Sequence, residues 1–242
     1  MGIKYAVNES FFEEWNSEMA YVVGYWYADG SLENAPYIRA KYIRVTSTDR
    51  ETIEYFKRVL SAEHPVTLLK KYGNQKDRFQ LRIGNHRIYE SLVAVGLYPN
   101  KSLTMTFPDV PAAHLADFVR GYFDGDGWVG IEYQTLRTGE QSVKRLGIAF
   151  TSGSKTFLEG LSSELHMVVG TSHLHAYRSR SSFQLRYSTA DSLKLFKFMY
   201  RAPRAVYLVR KFRVFKKYFA QRPERVDAIV HNILQRPSGE AG

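Results

Sequence analysis

One stretch of this sequence occurs twice, and the repetition constrains everything else. Val22-Val23-Gly24-Tyr25-Trp26-Tyr27-Ala28-Asp29-Gly30 returns as Val119-Arg120-Gly121-Tyr122-Phe123-Asp124-Gly125-Asp126-Gly127. Each copy is an apolar, aromatic run that reads as a helix and stops at an acid followed by glycine. That glycine, Gly30 or Gly127, suits the left-handed conformation that closes many helices. Gly24 and Ala28 lie four apart, as do Gly121 and Gly125, so each pair of small residues shares one helix face. Helices with such faces can pack until their backbones nearly touch, which would bring Asp29 close to Asp126. A carboxylate at a helix C-terminus opposes the dipole, and two neighbouring carboxylates repel. A divalent cation removes both costs, so the pair reads as a metal site. A solvated Asp-Gly turn would account for one copy but not for two matched ones.

The intervening sequence keeps the same register. Phe79-Gln80-Leu81-Arg82 recurs as Phe183-Gln184-Leu185-Arg186, an offset of 104, and Thr46-Ser47 recurs as Thr151-Ser152, an offset of 105. The motif acids are offset by 97. The difference falls within residues 131–145, so the second half should carry the longer first hairpin. Three landmarks in order indicate an internal duplication. In the first half the pattern predicts a lead-in from residue 8, a motif helix capped by Ser17, and strands over 31–36 and 37–47. A helix over 50–61 capped by Asp49, a hairpin of 65–72 and 77–84 around Gly73-Asn74, and a helix over 86–95 follow. The second half repeats this as a helix from Leu115 to Asp124, strands over 128–134 and 144–152, and a helix over 155–168. Strands over 172–178 and 182–188 and a helix over 190–200 complete it. The chain therefore divides into halves of 8–98 and 112–202, joined by a Pro-containing connector at 99–111. C-terminal helices occupy 203–236, and 237–242 read as a frayed tail.

The fold class is α+β: two tandem αββαββα halves about a pseudo-twofold axis, with two curved antiparallel four-stranded sheets forming a saddle. In the second arm of each later hairpin, polar residues alternate with apolar ones, so one sheet face is buried and the other carries Arg and Gln. Those side chains suit guanine and adenine edges in the major groove. A net charge of +10 points the same way, to a polyanionic partner. A strand of about nine residues spans about 30 Å, so the two halves would cover about two turns of duplex. Arg44, Ser47, Arg78, Gln80, Arg82, Ser152, Tyr177, Gln184 and Arg186 are the candidate DNA contacts. His173 and His175 alternate with Tyr177 and would share its face.

The chain has no cysteine, which excludes disulfides and thiolate-bound zinc. It shows no membrane-spanning run and no signal peptide, so a prokaryotic cytoplasm or an organelle is expected. Asp124-Gly125-Asp126-Gly127 superficially matches a calcium loop, but Trp128 holds the fifth position and Thr135 the twelfth, where a Glu is needed.

These two motifs and the strands between them resemble the LAGLIDADG homing endonucleases, in the single-chain form with two motifs. The likeness spans about residues 15–220. It implies a monomer that cuts double-stranded DNA with Mg²⁺, for which Mn²⁺ can substitute, leaving short 3′ overhangs. Asp29 and Asp126 would bind the metal, helped by the backbone carbonyls of Ala28 and Gly125. The resemblance also implies one basic residue per half near the scissile phosphates. Gly96-Leu97-Tyr98-Pro99-Asn100-Lys101-Ser102 selects Lys101, and Tyr207-Leu208-Val209-Arg210-Lys211 selects Lys211. Tyr27 departs from the pattern by replacing the first acid of its motif, which Asp124 keeps. Ser47 and Ser152 stand where some relatives carry Gln near a metal-bound water. A non-cleaving intron RNA maturase or a DNA-binding regulator would use the same scaffold, and a basic protein–protein scaffold is a third class. Intein context is not expected, because the chain ends in Ser238-Gly239-Glu240-Ala241-Gly242 rather than a His-Asn junction.

Overall fold

A computed structural model of the chain describes residues 5–70, 76–203 and 205–236. The first run of elements is α1 (Ser17–Asp29), β1 (Gly30–Ala35), β2 (Ala40–Ser47), α2 (Arg50–Val59), β3 (Val66–Leu69), β4 (Arg78–Gly84) and α3 (His86–Ala94). The second is α4 (Leu115–Asp126), β5 (Gly127–Thr135), β6 (Gln141–Ser152), α5 (Lys155–Val169), β7 (Tyr177–Ser179), β8 (Ser182–Tyr187) and α6 (Thr189–Met199). Two further helices, α7 (Val209–Gln221) and α8 (Ala228–Leu234), follow. The sheets have the orders β1-β2-β4-β3 and β5-β6-β8-β7, all antiparallel. Thr46 pairs with Gln80 in one sheet and Thr151 with Gln184 in the other, so the duplication holds at the level of single residue pairs. The longer hairpin of the second half is β5–β6, where the register shifts between Glu132 and Tyr133.

Among the described residues the chain forms two compact units, 5–101 with 108–125, and 102–107 with 126–236. In the first, Ile43, Val45, Leu81 and Ile83 line the inner sheet face, against Ile53, Phe56 and Leu60 of α2 and its end and Ile88 and Leu92 of α3. α1 is buried from Met19 to Tyr27, as a helix apolar on all sides should be. Trp26 and Tyr25 pack edge-on against Phe56. In the second unit Leu146, Ile148, Phe150 and Leu185 meet Phe157, Leu161 and Leu165 of α5, while Phe196 of α6 packs against Phe212, Phe215 and Phe219 of α7.

Several local expectations are corrected. The cap of α1 is Asn16, whose side chain accepts from the Met19 amide at 2.9 Å, not Ser17. Gly30 is extended (φ −88°), not left-handed, and among the described residues the glycines with positive φ are Gly96, Gly139 and Gly170. Space explains the residue at 30, because a Cβ there would lie 2.4 Å from the Trp26 ring. α4 continues two residues past Asp124 to Asp126. β2 starts at Ala40 rather than Tyr37, because Pro36–Ile38 form a 3₁₀ turn and Arg39 is left-handed (φ 53°). Asp49 precedes α2 without a side-chain cap. Residues 172–176 are not strand: Ser162 Oγ of α5 accepts from the Leu174 amide at 2.8 Å, and Ser163 Oγ lies 3.2 Å from His173 Nε2. This segment bonds to α5, and His173 and His175 lie outside β7. The Gly73-Asn74 turn and the 237–242 tail fall outside the described residues.

Candidate metal and nucleic-acid site

The helical parts of the two copies, through Asp29 and Gly125, meet inside the first unit. A Cβ on Gly24 would lie 2.1 Å from the Phe118 carbonyl oxygen, and one on Gly121 would lie 2.0 Å from that of Tyr21. α1 and α4 therefore touch backbone to backbone, which only glycine allows at these positions. One turn further on, a Cβ on Gly125 would lie 2.3 Å from Ala28 Cβ and 3.4 Å from Asp29 Oδ2.

Several polar groups in the buried stretch are paired. Tyr21 donates to Asp124 Oδ2 at 2.9 Å, and Arg120 bonds Asp117 at 2.6 Å with both side chains buried. Burial, then the Asp124 charge, holds the Tyr21 phenol well above its usual range. Burial and the Asp29 charge do the same to Tyr25, whose hydroxyl bonds Ser47 Oγ at 3.2 Å. Asp124 and Tyr27 are equivalent in the repeat but partner differently, since Tyr27 donates to the Val95 carbonyl at 3.0 Å.

The motif acids end their helices on the more open side. Asp29 is exposed and Asp126 half-buried. In the first unit Lys101, only 4% exposed, donates to the Gly30 carbonyl at 2.9 Å. In the second, Lys211, 5% exposed, donates to the Gly127 carbonyl. Each unit thus places one buried ammonium on the carbonyl of the residue after its motif acid. Lys101 arrives from a 3₁₀ turn behind Asn100 (φ 59°), and Lys211 from the first turn of α7. Burying a lysine is costly unless its donors are used, so two equivalent burials are not incidental.

An implied divalent cation can be tested against these residues. The Asp29 carboxylate lies beside Gly125, where a Cβ would be in ordinary contact with Oδ2 at 3.4 Å, and the residues that carry the Ala28 and Gly125 carbonyls adjoin it. Carboxylate and carbonyl oxygens are the donors Mg²⁺ prefers, with water completing its shell. Among the described residues no cluster of three or more His, Asp or Glu side chains could hold a metal. The residues fit the ion.

Ser47 and Ser152 are buried, and each hydroxyl accepts from the amide two residues on, Asp49 and Ser154, at 3.1 Å. They shape the turns entering α2 and α5. The remaining named contacts stand on exposed strand faces. Arg44 donates to Ser31 Oγ, Arg82 to Glu33, and Tyr177 to Gln184 Oε1, while Arg78 is exposed. Arg186 and Arg145 both reach Glu132. Sequence reasoning missed the acids, since a surface ion pair across strands has no sequence signature until the register is known. The pairing of Tyr21 with Asp124 escaped it because a contact between two helices depends on how they pack.

The sequence matches the LAGLIDADG-like domain family over residues 16–94 and 113–198, more than half of the chain. The chain belongs to the LAGLIDADG family. Solved LAGLIDADG structures share its fold. The I-LtrWI homing endonuclease bound to target DNA has a TM-score of 0.58 at 10% identity, covering 94% of this chain and 97% of that one. I-SmaMI, bound to an uncleaved DNA target with calcium ions, has a TM-score of 0.55 at 13% identity, with coverages of 91% and 97%. I-AabMI bound to uncleaved DNA gives 0.54 at 13%, with coverages of 91% and 97%. By sequence, no curated protein matches. No helix among the described residues is long and apolar enough to cross a membrane.

Proposed function

We propose that this LAGLIDADG chain is a site-specific, Mg²⁺-dependent DNA endonuclease. It acts as a monomer, cuts both strands of a long asymmetric target of about two turns, and leaves short 3′ overhangs. The observation that carries the reading is the set present in each unit: a motif acid, the next carbonyl, and a buried lysine on that carbonyl. Membership of a family whose solved relatives are homing endonucleases on DNA supports it.

Asp29 with the Ala28 carbonyl, and Asp126 with the Gly125 carbonyl, would each offer oxygen ligands to a divalent cation. When bound, such an ion polarises a phosphoryl oxygen and lowers the pKa of water in its shell. The chain's own residues do the rest. Lys101 and Lys211 hold their ammonium groups at the Gly30 and Gly127 carbonyls, where they stabilise negative charge developing on the phosphate. Their burial fixes that charge before substrate arrives, so little reorganisation is needed. Arg44, Arg78, Gln80 and Arg82 on one sheet, and Tyr177, Gln184 and Arg186 on the other, bind the duplex and set the site. Ser47 and Ser152 serve by shaping turns.

The test is selection from a randomised duplex library for sites cut in Mg²⁺, with parallel reactions in EDTA. A defined site cut only with metal is the expected result. RNA-dependent splicing assistance without metal-dependent cutting of any duplex would contradict it.

A further inference from the structure

We propose that Glu33 and Glu132 are positioning residues for sequence specificity: each holds an arginine, Arg82 or Arg186, against an aromatic ring so that its guanidinium reads one guanine. The proposal rests on the endonuclease reading and assigns the positions that discriminate bases.

In the first unit, Arg82 Nη2 donates to Glu33 Oε2 at 3.1 Å, and its Cζ lies 3.6 Å from the Tyr42 ring centroid. Glu33 pairs with Tyr42 and Tyr42 with Gly84 across the strands, while Ser31, Arg44 and Arg82 form the next row. Tyr42 lies over Gly84, where a Cβ would stand 2.9 Å from its ring. In the second unit, Arg186 Nη2 donates to Glu132 Oε1, and its Cζ lies 5.4 Å from the Trp128 ring. Trp128 lies over Gly130, whose Cβ would fall 2.2 Å from the indole, and reaches Gly147. Glu132 is itself fixed by Arg145 at 2.7 and 2.8 Å.

The duplication does not explain this likeness. Gly30 pairs with Val45 and Gly127 with Phe150, which sets the correspondence between the sheets. Under it Arg82 and Arg186 are equivalent, but Tyr42 corresponds to Gly147, Trp128 to Ser31, and Glu33 to Gly130. Each half has assembled arginine, ring and acid from different strand positions. Stability does not explain it either. The Arg82 and Glu33 side chains are 42% and 41% exposed, and Arg186 and Glu132 are 39% and 32% exposed, so the pairs contribute little to folding. What the pairs do is fix a planar fork that otherwise samples many rotamers. A guanidinium has five N–H donors, and with Nη2 on the acid enough remain for parallel bonds to guanine O6 and N7. Each arginine lines a groove, of about 690 Å³ beside Gln80 and Thr67 and of about 230 Å³ beside Gln184 and Ala149.

The experiment measures base preference at every target position for the full chain, by equilibrium binding to single-substitution duplexes in Ca²⁺. The unmodified chain should select a site with one guanine per half that answers to Arg82 or Arg186, defined by loss in R82A and R186A. Glu33→Ala and Glu132→Ala should each lower the preference for that guanine about fivefold or more, within the range of one bidentate contact. Preference at other positions and non-specific affinity should be unchanged, and Glu132→Gln, which keeps an acceptor, should recover most of the loss. Preferences within about twofold of the unmodified chain in both alanine variants, at guanines the arginine variants erode, would overturn the proposal alone. If the unmodified chain selected no sequence, the endonuclease reading would fall and this one with it.

Discussion

On the proposed endonuclease reading, the residues that act on the phosphate are two lysines that the fold buries at a cost. Each donates to a glycine carbonyl beside a motif acid. Replacing Lys211 by Met should lower cleavage about 10²-fold or more, the usual loss of one preorganised donor. DNA affinity measured in Ca²⁺ should stay within about threefold. Lys101→Met should behave alike, and single-turnover cleavage beside a binding titration separates the two effects. Buried phenols make a second prediction. Tyr21 and Tyr55 are pushed up by burial and Tyr187 to about 12, against an ordinary value of 10.0. Their folded pKa values are raised, so the stability they contribute is complete below about pH 10 and is lost as pH rises through the folded values. Urea unfolding from pH 8 upward should show a plateau, then a fall of about 1.4 kcal/mol per pH unit for each such group. A flat profile to pH 11.5 would contradict the burial argument. At this scale the placement of the motif acids at helix ends was legible because they ended a repeated pattern, and the lysines stood out because family resemblance marked their surroundings. The turn-shaping hydrogen bonds of Ser47 and Ser152 were not legible, because a hydroxyl that shapes a turn and one that orders water look alike in sequence.

Among the elements, the pairing of α1 with α4 rests on Gly24 and Gly121. Both face backbone carbonyls that cannot swing aside as a side chain could. Gly24→Ala should therefore destabilise the chain by about 1–3 kcal/mol, the cost of an overpacked core, read as a shift in the denaturation midpoint. A change below about 0.5 kcal/mol would mean that the helices separate freely. The helix faces, the sheets and their order of elements were legible because 3.6- and 2-residue periods survive in the sequence. Element ends were not. β2 lost Tyr37–Arg39 to a 3₁₀ turn set by Pro36, and β7 lost residues 172–176 because Ser162 and Ser163 of α5 claim them. Both are tertiary choices that strand propensity cannot register.

For the whole molecule, a net charge of +10 predicts a strongly salt-dependent affinity for duplex DNA. Binding should weaken about 10³-fold between 50 and 200 mM salt, as counterion release requires for about six phosphate contacts. A salt-independent Kd would favour a protein–protein scaffold. The division of labour between the two units gives the sharpest test. Asp29 and Asp126 each end one copy of the motif, so each should be indispensable to double-strand cleavage and dispensable for binding. The measurement is conversion of a supercoiled plasmid carrying the selected site to linear product in Mg²⁺ by Asp29→Asn and Asp126→Asn, with affinity for the same site measured in Ca²⁺. Loss of linear product by both variants at preserved affinity is the predicted result. Unchanged linearisation by either variant would contradict the assignment of the motif acids as metal ligands.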